Sequence, residues 1–191
     1  MNKIILIGGA PTLGKTYIAR KLAKKLSLPW ISTDSIREMM VEIVNKKDYR
    51  NLFLFRNPKI TAERAFKINT PKQIMISQNR ENIDVWKGVK AFIKNDYVWE
   101  SFIIEGIAIL PNLVYKTFKN NKNIKPVFLI SNDVKKISKV IHTRGLWDDA
   151  NKYSNKVKEK EVEWVCLFNK YIIKEAKKYG YPVYKVDKNF F

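Results

Sequence analysis

The sequence predicts an α/β fold, a parallel sheet with helices on both faces. Two observations predict it. Short apolar runs of strand length alternate with longer segments of helical period, the pattern that parallel strands joined by crossover helices produce. A glycine-rich octapeptide, Gly9-Ala10-Pro11-Thr12-Leu13-Gly14-Lys15-Thr16, stands between the first apolar run and the first helical segment. Sheets of this kind hold ligands just beyond the carboxyl ends of their strands.

The elements follow in order. Lys3 to Ile7 is a short apolar run ending at glycines, a buried strand. Lys15 to Leu26 reads as a helix, with Ile18, Leu22 and Leu26 four apart. Pro29 interrupts, and Trp30-Ile31 makes a second, brief strand. Ser35 and Glu38 have capping-box spacing, opening a helix that would turn Ile36, Met39, Met40, Ile43 and Val44 inward. From Lys46 to Glu100 the pattern loosens. Tyr49 to Lys59 mixes aromatics with Arg50, Arg56 and Lys59, and Pro71 opens a helical segment, Gln73 to Asn95, with Ile76, Ile83, Trp86, Val89 and Ile93. Ser101 to Glu105 is a third strand and Val127 to Ile130 a fourth. Asp133 to Arg144 is a helix between an acidic cap and Gly145, and Lys156 to Tyr179 is a long helix. Pro182 to Val186 is the fifth strand. The residues just after each strand are therefore the candidates for function: Gly8 to Thr16, Ser32 to Arg37, Glu105 to Pro111, Ser131 to Asp133 and Asp187 to Asn189.

The whole chain, 1–191, reads as one domain. It has no apolar run long enough to span a bilayer and no secretory leader pattern, and its one cysteine, Cys166, has no partner for a disulfide. A cytoplasmic protein without a membrane partner is expected. The formal net charge is +19, which raises the local concentration of phosphates and nucleic acid. Lysines supply 30 of the 37 basic residues and arginines 7, and arginine is the residue that reads phosphate bidentately. The charge is read first as a solvated lysine coat, then as an attractor of anionic substrates, and last as a nucleic-acid surface.

Gly9 to Thr16 fits G-x-x-x-x-G-K-[ST] at every position. In such a loop, backbone N–H groups surround the phosphates of ATP, Lys15 reaches the β- and γ-phosphates, and the Thr16 hydroxyl holds Mg²⁺. Asp34 and Arg37, three apart after the second strand, share a helix face. Asp34 is either a helix cap or the group that takes a proton from a substrate hydroxyl; Arg37 either pairs with Glu38 or Glu42 or grips an anionic substrate. Glu105, at the end of the third strand, can organise Mg²⁺ through water, orient the acceptor, or simply face solvent. Arg144 is a dipole-complementing helix end or the charge-neutralising residue of a lid over 142–155. His142, Cys166 and the tryptophans Trp86, Trp99, Trp147 and Trp164 read as structural.

Together the loop, the Ser32-Thr33-Asp34-Ser35-Ile36-Arg37 segment and Glu105-Gly106 through Pro111 resemble 2-phosphoglycerate kinase and the wider set of zeta-toxin-like and chloramphenicol-phosphotransferase-like kinases. Gln78 to Asn95 resembles the helix before the third strand in that set. Ala108 departs from the pattern, standing where 2-phosphoglycerate kinases usually have a histidine. The resemblance implies a P-loop NTPase three-layer sandwich, strand order 2-3-1-4-5, with 46–100 as a helical acceptor-binding cap beside the carboxyl edge. It implies γ-phosphoryl transfer from ATP to a hydroxyl of a small anionic metabolite, with Asp34 as base, Arg37 on the acceptor's anion and Mg²⁺ as cofactor. A kinase of nucleotides or nucleic-acid 5′ ends, and a non-catalytic NTP-binding switch, remain open as alternatives.

Overall fold

The structure is a computed structural model that describes residues 3–54, 61–96, 98–146 and 148–186. Its strands are β1 (Ile4–Gly9), β2 (Trp30–Ser32), β3 (Phe102–Glu105), β4 (Ile124–Ile130) and β5 (Val183–Lys185). All neighbouring pairs are parallel and the order is β2-β3-β1-β4-β5. Leu6 and Ile7 in β1, and Phe102, Ile103 and Ile104 in β3, are consecutive and all at most 1% exposed. Successive strand residues face opposite sides, so both faces of the sheet are covered.

The helices are α1 (Lys15–Leu26), α2 (Thr33–Ile43), α3 (Ala62–Ile68), α4 (Pro71–Asn95), α5 (Pro111–Phe118), α6 (Val134–Arg144) and α7 (Asn155–Lys178). Two features mark α4 as a helix from the start. Pro71 stands in its first turn, and Thr70 and Gln73 form a capping box. Asp133 caps α6 by accepting from the Lys136 N–H, and Gly145 ends it. The sequence reading passes over the eight residues of α5, a short helix opened by Pro111 and anchored by buried Val114 and Phe118.

The cap of α2 is a correction. Its N-cap is Ser32, whose Oγ accepts from the Ser35 N–H at 2.9 Å. The helix therefore starts at Thr33 rather than beyond Ser35, and the Ser35/Glu38 pair is not its capping box. The inward stripe is Thr33, Ile36 and Met40, while Met39 and Ile43 are 51% and 81% exposed. In α4 the expected apolar stripe holds at Trp86 and Val89, which are buried, but not throughout. Ile76 and Ile83 face outward, and Gln78, Glu81, Asn82, Val85 and Val89 are buried.

A second, smaller apolar cluster joins Ala62, Ala65 and Phe66 of α3 to Ile74 of α4, Tyr153, and Val157 and Trp164 of α7. Polar contacts hold the 145–155 segment to α3. The Ala62 N–H donates to Asp148 Oδ2 at 2.7 Å, and the Ser154 N–H and hydroxyl donate to Glu63 Oε2 at 3.1 and 3.0 Å. The two Ser154 bonds hold the Glu63 carboxyl below the usual carboxylate range. Among the described residues no helix is long and apolar enough to cross a membrane.

Candidate active site

The phosphate loop turns sharply because three of its residues take positive φ: Gly9 at 145°, Thr12 at 66° and Gly14 at 73°. A side chain at Gly9 would lie 2.5 Å from the Leu129 carbonyl oxygen of β4, so only glycine lets β1 and β4 pair this far along. Gly14 precedes α1 with no side-chain cap, and the first N–H groups of α1 are left to an anion. Thr12 Oγ1 is buried without a hydrogen-bond partner, a polar atom in a loop shaped for phosphate. Lys15, 8% exposed, donates from Nζ to the Ala10 carbonyl at 2.9 Å. Burial lowers its pKa, opposed by the charges of Glu105 and Asp34.

Strand register brings Glu105 to the loop, since Ile7 of β1 pairs with Glu105 of β3. The Thr16 hydroxyl donates to Glu105 Oε1 at 2.9 Å. Glu105 is 3% exposed, and burial raises its pKa against the opposing pull of Lys15 and the Thr16 bond. A hydroxyl and a carboxylate oxygen in contact are the hard donors that Mg²⁺ takes when phosphates supply its other ligands, so these residues fit that ion.

Across the cleft, the N-cap duty of α2 is discharged by Ser32. Asp34 is exposed, and among the described residues its carboxylate makes no hydrogen bond or ion pair. Arg37 donates from Nη2 to Glu38 Oε1 at 3.0 Å and lies 3.8 Å, Nη1 to Oε1, from Glu81. The surface pairing with Glu38 is thus present alongside a second, buried carboxylate that the sequence reading did not single out. One cleft of about 450 Å³ is lined by Lys15, Thr16, Asp34, Arg37, Glu81 and Glu105, with Gln78 beside them and Leu146 and Trp164 as an apolar wall. Trp164 therefore lines the cleft as well as packing in the smaller cluster.

Arg144 is placed elsewhere. It ends α6 and, with Lys136, Arg20, Lys21 and Lys24, lines a larger basic groove on the other side of the loop, about 1110 Å³ and bounded by Thr12 and Lys15. Its charge is close enough to contribute to the lowering of the Lys15 pKa. His142 is engaged with Ser138 of its own helix and Glu159 of α7. Trp147, Arg56, Lys59 and Asp187 to Asn189 lie outside the described residues.

Gly106 locks the two halves of the site together. Its φ is 148°, and a Cβ there would lie 1.8 Å from Thr33 Oγ1 and 2.8 Å from Thr33 Cβ. Gly106→Ala is expected to destabilise the fold by about 2–5 kcal/mol, from backbone strain and overpacking together. Because Thr33 precedes Asp34, the same change should impair the site. Urea denaturation of both proteins measures the loss, and an unchanged midpoint would refute the close packing.

The parallel order, the glycine loop after β1, the lysine and threonine opening α1, and the carboxylate ending β3 together define the α/β P-loop fold. No family model matches the sequence, and no curated protein sequence matches it either. Solved structures do match. Shikimate kinase from Bacteroides thetaiotaomicron superposes with a TM-score of 0.56 at 14% identity, over 96% of this chain and 86% of that one. TT1252 from Thermus thermophilus gives 0.51 at 13%, over 98% and 88%. YorR from Bacillus subtilis, solved in complex with phosphorylated GDP, gives 0.50 at 16%, over 99% and 88%. At these identities the likeness is one of fold.

Proposed function

We propose that the chain is a cytoplasmic, ATP-dependent phosphotransferase that moves the γ-phosphoryl group to a hydroxyl of a small molecule. The observation that carries this reading is the single cleft in which Lys15, Thr16 and Glu105 face the unpaired carboxylate of Asp34. The acceptor oxygen forms a bond to the γ-phosphorus while the bond from that phosphorus to the β,γ-bridging oxygen breaks, and ADP leaves. Asp34 takes the hydroxyl proton and returns it to solvent. The loop N–H groups and Lys15 hold the phosphates, and Arg37 turns toward an anionic group of the acceptor. Mg²⁺, held through Thr16 and by Glu105 through water, would supply charge neutralisation between the phosphates. ATP consumption measured over phosphorylated metabolites, hydroxy acids, nucleotides and oligonucleotides tests this reading. ATP binding with no acceptor-dependent ADP release would support the switch reading instead.

The basic groove favours a second reading, a kinase of nucleotides or nucleic-acid ends. Six cationic side chains line it, which suits a polyanion better than a small metabolite. Oligonucleotide phosphorylation that weakens steeply with salt would be its signature.

We also assign 142–155 as a lid that presents Arg144 to the donor phosphates. It is joined to α3 by the Asp148 and Ser154 hydrogen bonds and by Tyr153, which packs in the smaller apolar cluster. Hydrogen exchange across this segment is expected to slow when a non-hydrolysable ATP analogue binds. Unchanged exchange, together with full activity in Arg144→Ala, would count against a lid.

A further inference from the structure

The four residues inside the phosphate loop, Ala10, Pro11, Thr12 and Leu13, include a single polar side chain. Ala10, Pro11 and Leu13 are buried, and Thr12 among them is partly exposed. The Thr12 backbone is left-handed, with φ at 66°. A β-branched residue takes that conformation only under strain, whereas glycine takes it freely. The other described non-glycine residue with positive φ, Ser27, is the C-cap of α1, an ordinary place for a left-handed residue. Thr12 ends no helix. Its hydroxyl adds a second cost, because Oγ1 is buried and has no hydrogen-bond partner. A strained backbone and an orphaned hydroxyl on one residue call for a compensating use.

Position supplies that use. The basic groove and the cleft that contains Asp34 share three lining residues, Thr12, Lys15 and Thr16. In a loop of this kind the lysine reaches the β- and γ-phosphates and the threonine that follows it holds Mg²⁺. Thr12 therefore borders the same strip of surface as the two side chains that handle the γ-phosphate. A phosphoryl group that leaves the loop for an oxygen beside Asp34 crosses that strip. In this structure Lys15 Nζ is turned back onto the Ala10 carbonyl, so the loop's polar groups face one another rather than a phosphate.

We propose that the Thr12 hydroxyl is a γ-phosphoryl contact, donating to a γ-oxygen of ATP once Lys15 has left the Ala10 carbonyl for the phosphates. The proposal rests on the reading of Gly9 to Thr16 as an ATP loop and gives the loop a selectivity that its backbone lacks. Loop N–H groups cradle the α- and β-phosphates, which ATP and ADP share, and Thr12 tells ATP from ADP. The hydroxyl gains the acceptor it lacks, and the left-handed turn is what places it there.

Calorimetry with a non-hydrolysable ATP analogue and with ADP, each with Mg²⁺, tests this on three variants. Thr12→Val keeps the shape and the β-branch and exchanges the hydroxyl for a methyl group. It should weaken the ATP analogue about tenfold or more, the scale of a hydrogen bond to a charged group, and leave ADP within about twofold. Thr12→Ser keeps the hydroxyl and should bind both ligands within about threefold of wild type. Thr12→Gly removes the hydroxyl and the strain together. It should bind the analogue as weakly as Thr12→Val does, yet melt about 2–4 °C above wild type. Unchanged analogue affinity in Thr12→Val, or parallel losses for the analogue and ADP, overturns the proposal and leaves the kinase reading standing. So does a lower melting temperature in Thr12→Gly, which would make the threonine a structural residue. Failure of the wild type to bind either nucleotide overturns the ATP-loop reading itself, and this inference with it.

Discussion

Lys15→Ala is expected to weaken binding of a non-hydrolysable ATP analogue by about 30-fold to several-thousand-fold. The lysine is buried beside the loop it serves, and its ammonium already pays a desolvation cost, visible in its lowered pKa. It holds the neutral Ala10 carbonyl at 2.9 Å. Turning to the β- and γ-phosphates exchanges that acceptor for an anionic one in the same low-dielectric setting, where removing one partner of a charge pair costs about 2–5 kcal/mol. Loss of the ammonium also leaves Glu105 near Asp34 with less positive charge opposite, so the cleft becomes less hospitable to phosphate by more than one contact. Isothermal calorimetry on wild type and variant decides the matter. Equal affinities would remove the loop from nucleotide binding.

The P-loop side of the site was legible because backbone demands fix it. Gly9 and Gly14 sit at positive φ, where other residues strain the turn, and Lys15-Thr16 follow at a fixed spacing, so Gly9 to Thr16 announce themselves. The limits of α1 and α6 were equally plain, since caps and glycines mark them. The proposed acceptor side was not legible in the same way. Its wall comes from α4, where Gln78 and Glu81 line the cleft and Asn82 is buried beside them. An apolar-period reading ranks those positions as solvent-facing and promotes Ile76 and Ile83, which the structure leaves 41% and 49% exposed. The signal was present in another form. Gln78, Glu81, Asn82, Val85 and Val89 follow one helical stripe, apolar where it meets the core and polar where it meets a cavity. Glu81 would have been found by asking which polar residues continue the stripe of Val85 and Val89. The α2 cap was misplaced because Ser32 and Ser35 both offer capping hydroxyls, and only the end of the β2 pairing, at Ser32 opposite Glu105, chooses between them.

Asp34→Asn is expected to lower kcat by about 100-fold or more, the scale of losing a general base, with ATP affinity nearly intact. The structure removes the competing duty, because Ser32 rather than Asp34 accepts the N–H that a cap must satisfy. An exposed carboxylate without a bond of its own is also cheap to replace, and the substitution should change stability by no more than about 0.5 kcal/mol. A drop in kcat would then not be attributable to unfolding. Transfer needs the acceptor oxygen in line with the γ-phosphorus, and Asp34 stands in the same cleft as Lys15 and Thr16. In a loose transition state the proton leaves late, so orientation of the hydroxyl contributes more than the basicity of the aspartate. Asparagine keeps the shape but offers an amide that can misdirect the hydroxyl. Arg37→Ala should behave differently, raising acceptor KM with a smaller change in kcat, since a grip on a remote anionic group is made equally in ground and transition states. Steady-state kinetics with the acceptor identified by the ADP-release screen separates the two. Near-wild-type kcat in Asp34→Asn would transfer the proton-accepting role to Glu105, whose raised pKa suits it to hold a proton and whose contact with Thr16 would then have to break during turnover.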